Sequence, residues 1–287
     1  MSETDNFRRH YRLLALDVDG TLVNHHGLIH EEDCAALHRA AEAGASIAIA
    51  SGRMGASIEK VFERVELQGP TVAYNGAMVK LSEDGGGEVI LHQPVPAEYA
   101  QTIVDFVYWF NEHAPEKDQL NLNYYLDDVL YADRPNIWNE KYHKQTSSIF
   151  HFVGDLRQFN GKPPTKLIMM THPERREVFY QMLEWHLPGK ACIARTHPEY
   201  HLEIMDAGVD KGRAILALAK HLDIRPHEIM TLGDAANDLP MIVLDEVFGV
   251  VMGNAEDAIK DSADWVAPSC DEAGIAATIE QFFISPS

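Results

Sequence analysis

The stretch Leu13-Leu14-Ala15-Leu16-Asp17-Val18-Asp19-Gly20-Thr21 decides the fold of this chain. Its four apolar residues predict a buried strand, and the polar residues after them predict the end of that strand. Gly20 lets the backbone turn sharply there. Because α/β folds place their chemistry at the carboxyl ends of parallel strands, we expect an acidic corner at one edge of a sheet. The competing interpretation is an ordinary carboxylate-rich turn.

The two neighbouring carboxylates, Asp17 and Asp19, suit metal-assisted phosphoryl transfer. Their mutual repulsion favours protonation of one group or a cation beside both, and Mg²⁺ suits an all-oxygen site that also binds a phosphate. One aspartate can attack phosphorus to form an aspartyl-phosphate, while the other protonates the leaving oxygen. This hypothesis requires another metal carboxylate, a cation for the phosphate, and hydroxyl or amide donors elsewhere.

Two later segments offer the donors and the cation. Ser51-Gly52-Arg53 follows the apolar run Ile47–Ala50 and supplies a hydroxyl and a glycine amide for a phosphate cradle, although this tripeptide is also common in turns. Lys211 begins a helical stretch, at the end where the helix dipole disfavours a cation. That position indicates a role with a ligand, and a solvated surface lysine is the alternative.

A second acidic group follows the apolar run 229–232, in the stretch Gly233-Asp234-Ala235-Ala236-Asn237-Asp238. Its aspartates and asparagine supply hard oxygen ligands for Mg²⁺. A helix N-cap is the competing role for Asn237 or Asp238.

The order of these clusters resembles the motif order of the haloacid dehalogenase superfamily of phosphohydrolases. The segment around Asn75, with its Asn-Gly-Ala sequence, is similar to the Cof-type branch of that family. The matching segments are Asp17–Thr21, Ser51, Tyr74–Ala77, Glu203–Ile204, Gly208–Gly212, Gly233–Asp238, Asn254–Ala255 and Ala263–Val266. The resemblance covers about residues 12–81 and 200–283 and is much weaker between them.

This resemblance implies a Mg²⁺-dependent phosphatase that forms an aspartyl-phosphate. It implies that Asp17 is the nucleophile, that Asp19 is the acid and base, and that the metal ligands are Asp17, Asp19 through its backbone carbonyl, and Asp234, with Asp238 in support. The candidate residues for binding phosphate or substrate are Val18, Gly20, Thr21, Ser51, Gly52, Arg53, Asn75, Lys211 and Asn237. The implied substrate is a small phosphorylated metabolite of the sugar phosphate, flavin mononucleotide or pyridoxal phosphate type.

Two other functions remain open at this point. The same aspartyl-phosphate chemistry serves a phosphosugar mutase or transferase, which differs from a phosphatase in its product. The second is a catalytically silent protein that binds a phosphorylated ligand. The presence of a nucleophile together with an acid argues against it, because binding alone does not require them.

Composition narrows the class of protein. The chain has 287 residues and a formal net charge of −20, which argues against nucleic-acid or anionic-membrane partners. The three cysteines, Cys34, Cys192 and Cys270, are far apart in sequence and form no metal or redox motif, which fits a cytoplasmic location.

The pair His25-His26 invites a metal hypothesis, but a solvated loop pair is commoner and Mg²⁺ prefers oxygen. Protein partners stay unknown.

Strands and helices alternate at both ends of the chain, which predicts an α/β fold with a Rossmann-like, doubly wound parallel sheet. We expect residues 1–82 and 199–287 to form this discontinuous core, and residues 83–198 to form an inserted α+β domain, the analogue of a class II subtype B cap. The predicted strands are 12–18, 45–50, 71–74, 78–81, 88–92, 120–126, 129–132, 166–171, 191–195, 229–232 and 248–251. The predicted helices are 31–43, 56–65, 98–113, 174–186, 211–222, 237–244 and 272–283. A turn is expected at Asp84-Gly85-Gly86-Gly87.

Overall fold

The computed structural model describes residues 11–83, 86–187, 189–196 and 199–283. The chain divides into two compact units, Met1–Leu91 with Asp210–Ser287, and His92–Val209. These bounds differ from the sequence-based ones partly because the strand His201–Asp206 pairs with Lys166–Met170 in the sheet of the second unit. The expected turn at 84–87 lies partly outside the described residues.

The described strands and helices, in chain order, have the following bounds. The strands are β1 (Leu13–Leu16), β2 (Ser46–Ala50), β3 (Thr71–Ala73), β4 (Met78–Lys80), β5 (Val89–His92), β6 (Asn121–Leu126), β7 (Val129–Ala132), β8 (Phe150–Phe152), β9 (Lys166–Met170), β10 (Ala191–Thr196), β11 (His201–Asp206), β12 (Ile229–Gly233), β13 (Phe248–Val251) and β14 (Trp265–Val266). The helices are α1 (Glu31–Glu42), α2 (Gly55–Val65), α3 (Ala97–His113), α4 (Ile137–Thr146), α5 (Pro173–His186), α6 (Lys211–His221), α7 (Leu239–Ile242), α8 (Asp257–Lys260) and α9 (Gly274–Phe282).

The first unit is built on an eight-stranded sheet in the order β14-β13-β12-β1-β2-β3-β4-β5. The six strands from β14 to β3 are parallel, and β4 runs antiparallel to β3. Successive strands run outward from β1 on one side and from β12 on the other, so the strand order reverses between these two neighbours. Such a reversal point is where open α/β sheets bind ligands. The α/β class with a doubly wound parallel core is confirmed.

The burial of β1 and β12 agrees with their position at the centre of this sheet. All four residues of β1 and all five of β12 are buried, as expected for parallel strands that are covered on both faces. The core between sheet and helices includes Ile215 and Leu218 of α6 and Met241 of α7.

The second unit carries a six-stranded sheet in the order β10-β11-β9-β6-β7-β8. Its pairings are antiparallel except for β7 with β8. Its own core contains buried side chains of α3, of α5 and of the central strands, among them Val104, Phe179, Leu122 and Leu202.

Several sequence-based elements need correction. The first strand ends at Leu16, so Asp17 already lies in the following loop. The helix expected over 237–244 is only the short helix Leu239–Ile242, because the preceding residues remain a loop that the side chain of Asp238 holds. The helix Ile137–Thr146 was not predicted.

Among the described helices, none combines the length and apolar character needed to cross a bilayer.

Candidate active site

The predicted polar clusters meet at one edge of the first unit's sheet. Asp17 follows β1, Ser51 follows β2, and Asp234 follows β12. Since these three strands are adjacent and parallel, their carboxyl ends lie side by side. The loops that carry the acidic and hydroxyl groups therefore converge where the strand order reverses.

Lys211 is fully buried between two carboxylates. Its Nζ donates to Asp17 Oδ1 at 2.6 Å and to Asp238 Oδ1 at 2.5 Å, and no part of its side chain reaches solvent. The alternative of a solvated surface lysine is therefore wrong. The first residue of α6 instead brings a positive charge to the proposed nucleophile.

The electrostatics of this cluster favour an additional cation. Burial raises the pKa of Asp17 to about 7, with Lys211 opposing the rise and Asp238 adding to it. Burial also raises the pKa of Asp234 to about 6, and Asp238 again contributes. For Lys211, burial disfavours the charged form, but the carboxylates of Asp17 and Asp238 outweigh it and its pKa is raised. One ammonium group does not neutralise three carboxylates in a buried setting, and a cation would relieve the excess.

The side chain of Asp234 is held by contacts with Thr21 and Asn254. Thr21 Oγ1 donates to Asp234 Oδ1 at 3.2 Å, and Asn254 Nδ2 lies 3.4 Å from Asp234 Oδ2. Gly20 has φ +85°, and a Cβ at this position would lie 2.3 Å from Asp234 Oδ2. Only glycine therefore fits both the backbone conformation and the close approach of the carboxylate.

Asp238 braces the loop rather than capping α7. Its Oδ2 accepts from the backbone N–H groups of Asp234 and Ala235, both at 3.0 Å, while its Oδ1 accepts from Lys211. Asp238 is the N-cap residue of α7 by position, but its side chain makes no capping hydrogen bond. Both of its oxygens are thus engaged within the site.

Asp17, Asp234 and Asp238 fit a hard divalent cation. Each places one carboxylate oxygen within 4.8 Å of the other two. An all-oxygen donor set of this kind matches Mg²⁺. Asp238 accepts short hydrogen bonds at both oxygens, at 2.5 and 3.0 Å, whereas the contacts to Asp234 are longer, at 3.2 and 3.4 Å. Asp17 and Asp234 are therefore the carboxylates best placed to contact an ion.

The side chain of Asp19 lies away from this cluster, in a pair with Arg53. The guanidinium donates from Nε to Oδ2 at 2.9 Å and from Nη2 to Oδ1 at 2.5 Å. The Asp19 side chain is 63% exposed. Sequence reasoning expected Arg53 beside the phosphate and did not foresee this contact.

The hydroxyl and amide candidates gather around β2 and β12. Ser51 is buried, and its Oγ accepts from the backbone N–H of Arg53 at 3.3 Å. Asn75 has φ +55°, and its Oδ1 accepts from Asn237 Nδ2 at 3.1 Å. A Cβ on Gly52 would lie 3.2 Å from the amide of Asn75. Ser51, Gly52, Asn75 and Asn237 are thus brought together from three separate segments.

The backbone groups of Val18 and Gly20, which were expected to bind phosphate, lie in a tight turn. The Gly20 N–H donates to the Val23 carbonyl at 2.9 Å, and the Val18 carbonyl accepts from the Val23 N–H at 2.7 Å. Val18 is fully buried. The Gly20 amide is therefore engaged in the turn here, which differs from its expected role as a free phosphate donor.

Sequence reasoning left Asn254 out of the candidate site. It follows β13, and its Nδ2 donates to the Gly20 carbonyl at 2.8 Å as well as approaching Asp234. Its Oδ1 accepts from the Cys270 N–H at 2.9 Å. The available signal was its position, because an amide two residues after the apolar run 248–252 occupies the same sheet edge as the other clusters.

The comparisons with known proteins agree with this fold. The sequence profile of the haloacid dehalogenase-like hydrolases matches residues 14–279. The chain is 30% identical over 285 residues to the HMP-PP phosphatase of Yersinia pseudotuberculosis, covering 96% of this chain and 97% of the relative. It is 26% identical over 276 residues to the 5-amino-6-(5-phospho-D-ribitylamino)uracil phosphatase of Bacillus subtilis, covering 94% and 97%. The solved structure of the TM0651 protein of Thermotoga maritima is similar with TM-score 0.86 and 29% identity, over 96% and 98% of the two chains.

The chain belongs to the haloacid dehalogenase superfamily, in its Cof-type branch. It is a phosphatase, an enzyme that hydrolyses phosphoric monoesters.

Proposed function

We propose that this chain is a Mg²⁺-dependent phosphatase that takes a phosphoryl group from a small metabolite onto Asp17 and then hands it to water. The observation that carries the proposal is the buried Lys211 ammonium between Asp17 and Asp238, at the sheet edge where strand order reverses. A nucleophilic carboxylate in this setting is oriented by Lys211, and its charge is balanced without full exposure to water.

The metal would be held by the carboxylates of Asp17 and Asp234 and by the backbone carbonyl of Asp19, while Asp238 braces the loop and Lys211. When bound, Mg²⁺ supplies the positive charge that lets a phosphate dianion approach an acidic cluster. Lys211 and Arg53 add positive charge at the site itself, in a chain whose net charge is −20.

Asp17 and Asp19 divide the chemistry between them. Asp17 attacks phosphorus through a carboxylate oxygen as the bond to the leaving oxygen breaks, and Asp19 gives its proton to that oxygen. Asp19, now a carboxylate, takes a proton from water as the water attacks the aspartyl-phosphate. Phosphate leaves, and Asp17 and the proton on Asp19 are restored.

The phosphoryl oxygens need donors on several sides. Lys211, Ser51 and Asn237 supply side-chain donors, and Asn75 fixes the amide of Asn237. The backbone N–H groups of Val18, Gly20, Thr21 and Gly52 are the remaining candidates. Gly20 contributes only when its bond to the Val23 carbonyl opens, and Thr21 only when its bond to the Val18 carbonyl opens.

The substrate class follows from the relatives. One relative is named an HMP-PP phosphatase and another a phosphatase of a phosphorylated ribitylaminouracil, so we infer a small phosphorylated heterocycle or sugar for this chain. We assign the choice of substrate to the inserted region, residues 83–198, where the family resemblance is weakest.

A phosphate-release screen tests the proposal. The purified protein is assayed with Mg²⁺ on phosphorylated pyrimidines, ribitylaminouracil phosphate, flavin mononucleotide, pyridoxal phosphate, sugar phosphates and p-nitrophenyl phosphate. We expect release from at least one metabolite, its loss with EDTA, its return with Mg²⁺, and its absence in Asp17→Asn. The control is Asp261→Asn, an exposed position away from the site. Full activity in EDTA-treated protein, or in Asp17→Asn, would refute the mechanism.

A further inference from the structure

A second cluster of metal-ligand side chains lies in the first unit, outside the acidic site. His25, Cys270 and Asp271 each present one ligand atom, and these atoms all lie within 4.8 Å of one another. His25 Nδ1 is 2.8 Å from Asp271 Oδ2 and 3.7 Å from Cys270 Sγ. Sequence reasoning could not join them, because 245 residues separate His25 from Cys270.

The separations from His25 Nδ1 are close to those around a tetrahedral cation. Ligand atoms around Zn²⁺, at about 2.0–2.3 Å from the ion, stand about 3.3–3.7 Å apart. The contact between His25 and Cys270 already has that separation. The contact between His25 and Asp271 needs to open by only about half an ångström, which an exposed pair at a loop surface allows.

Both sides of the cluster are held in place before any ion arrives. Asn24 Oδ1 accepts from the backbone N–H groups of His26 and Leu28, which shapes the loop that carries His25. On the other side, the N–H of Cys270 donates to Asn254 Oδ1 at 2.9 Å. An ion therefore meets a backbone that is already ordered on both sides, while the exposed side chains of His25 and Asp271 can still adjust to it.

The side chains of this second cluster favour a different metal from the one that suits the acidic site. Imidazole and thiolate favour Zn²⁺ and similar borderline cations, whereas Mg²⁺ favours oxygen alone. Cys270 is buried, and the side chains of His25 and Asp271 are 58% and 38% exposed. The thiolate side is thus shielded while the opposite side faces water, which leaves a fourth position for a solvent molecule.

From this geometry we propose that His25, Cys270 and Asp271 form a binding site for a Zn²⁺-class transition metal, separate from the Mg²⁺ cluster. Binding displaces the thiol proton of Cys270 and any proton on His25 Nδ1, and both go to solvent. The ion ties the loop after the first motif to the segment before α9, so it stabilises the folded state against unfolding.

Cobalt(II) is the probe, because its bond to a thiolate gives a charge-transfer absorption that oxygen and nitrogen ligands do not give. Reduced protein is saturated with Mg²⁺ to occupy the acidic cluster and then titrated with Co²⁺. We expect one Co²⁺ per chain with thiolate absorption in the wild type. The absorption should persist in Asp234→Ala, which separates this site from the catalytic one, and no phosphatase assay is involved.

Matched variants assign the ligands. Cys270→Ser should abolish the thiolate absorption, while Cys192→Ser, at a half-buried cysteine of the second unit, should leave it intact. His25→Ala should weaken Co²⁺ binding at least tenfold, whereas His26→Ala, at the exposed neighbour, should not. His25 is exposed, so its removal does not threaten folding.

A thermal scan gives an independent readout. Zn²⁺ should raise the Tm of the wild type and of His26→Ala, but not that of Cys270→Ser. The proposal is overturned if wild-type protein shows no thiolate absorption with Co²⁺, if the absorption survives in Cys270→Ser, or if His25→Ala binds Co²⁺ as tightly as the wild type.

Discussion

The guanidinium of Arg53 contacts both carboxylate oxygens of Asp19, from Nε at 2.9 Å and from Nη2 at 2.5 Å. This pair orients the proposed acid and base beside the nucleophile's loop. Because both oxygens of Asp19 accept hydrogen bonds from Arg53, one of these contacts must open before Asp19 can reach the leaving oxygen. Arg53 is thus a positioning residue for Asp19 in addition to its expected role as a phosphate ligand.

Arg53→Lys tests this relationship. The substitution keeps the positive charge and removes the two-point contact, which lysine cannot make. We expect kcat to fall about tenfold, ~1.4 kcal/mol of barrier, with little change in KM. The control is Arg64→Lys, where the side chain donates to the Gly27 carbonyl. A change confined to KM would show that Arg53 serves the phosphate alone.

Gly20→Ala should damage the metal site more than the fold. An added Cβ would lie 2.3 Å from Asp234 Oδ2 and would displace that carboxylate. Gly27→Ala is the matched control, because Gly27 also has positive φ but nothing lies within 4 Å of the added atom. Both changes carry about 1–2 kcal/mol of backbone strain. Mg²⁺ titrations followed by activity should show weaker activation only in Gly20→Ala, and equal activation curves would contradict this account.

Lys211→Met should destabilise the protein strongly at pH 7. The change leaves the buried carboxylates of Asp17 and Asp238 without their shared cation. Removal of one partner from a buried ionic group costs about 3–5 kcal/mol. Urea unfolding without metal measures the loss, and Lys260→Met, from an exposed pair with Asp257, should show none that is measurable. An unchanged unfolding midpoint in Lys211→Met would mean that the buried pair does not stabilise the fold.

Asp33 should make stability depend on pH. Its side chain is inaccessible to solvent, its Oδ1 accepts from the Ala276 N–H at 2.7 Å, and burial raises its pKa to about 6. Because the folded pKa lies above the unfolded value of 3.8, the stability it contributes is present below pH ~4 and is lost as pH rises through about 6. The loss is on the order of 2–3 kcal/mol.

Asp33→Asn removes that titration. Between pH 4 and 7 the free energy of unfolding of the wild type should fall relative to that of the variant, as measured by urea unfolding. Glu32→Gln, at the exposed neighbouring position of α1, is the control and should follow the wild type. Parallel pH curves for the wild type and Asp33→Asn would show that this carboxyl does not titrate between the two states.

The sequence was most informative where an apolar run ends in polar residues. The runs before Asp17, Ser51 and Asp234 are short and mostly apolar, which is typical of parallel strands buried on both faces. Parallel pairing then places their carboxyl ends at one edge, and the structure agrees. The class of fold and the meeting of the motifs were therefore predictable from local pattern.

Side-chain partners were not predictable in the same way. The helical pattern places Lys211 near a helix start but does not say that its side chain is buried. Asp238 resembled an N-cap, whereas its oxygens bind Lys211 and two backbone amides. The contact of Arg53 with Asp19 joins residues 34 positions apart. Such contacts depend on how loops from different strands approach one another, which periodicity does not encode.

The helix Ile137–Thr146, which was not predicted, shows a second limit of prediction from the hydrophobic pattern. Its sequence is mostly polar, so it lacks a continuous apolar stripe, and only Trp138, Asn139 and Tyr142 are buried. Its start was nevertheless signalled, because Asn136 and Asn139 form a capping box. Capping residues identify this helix better than its hydrophobic pattern does.

The central claim is that Asp17 carries the phosphoryl group between substrate and water. The most direct measurement traps that intermediate: wild-type protein is quenched during turnover, reduced with borohydride, which converts an acyl phosphate to an alcohol, and digested for mass spectrometry. The account predicts homoserine at position 17 in protein that is turning over substrate, and unmodified residues in Asp17→Asn and in protein without substrate. Turnover with no modification at Asp17, or with the modification on another carboxylate, would contradict it.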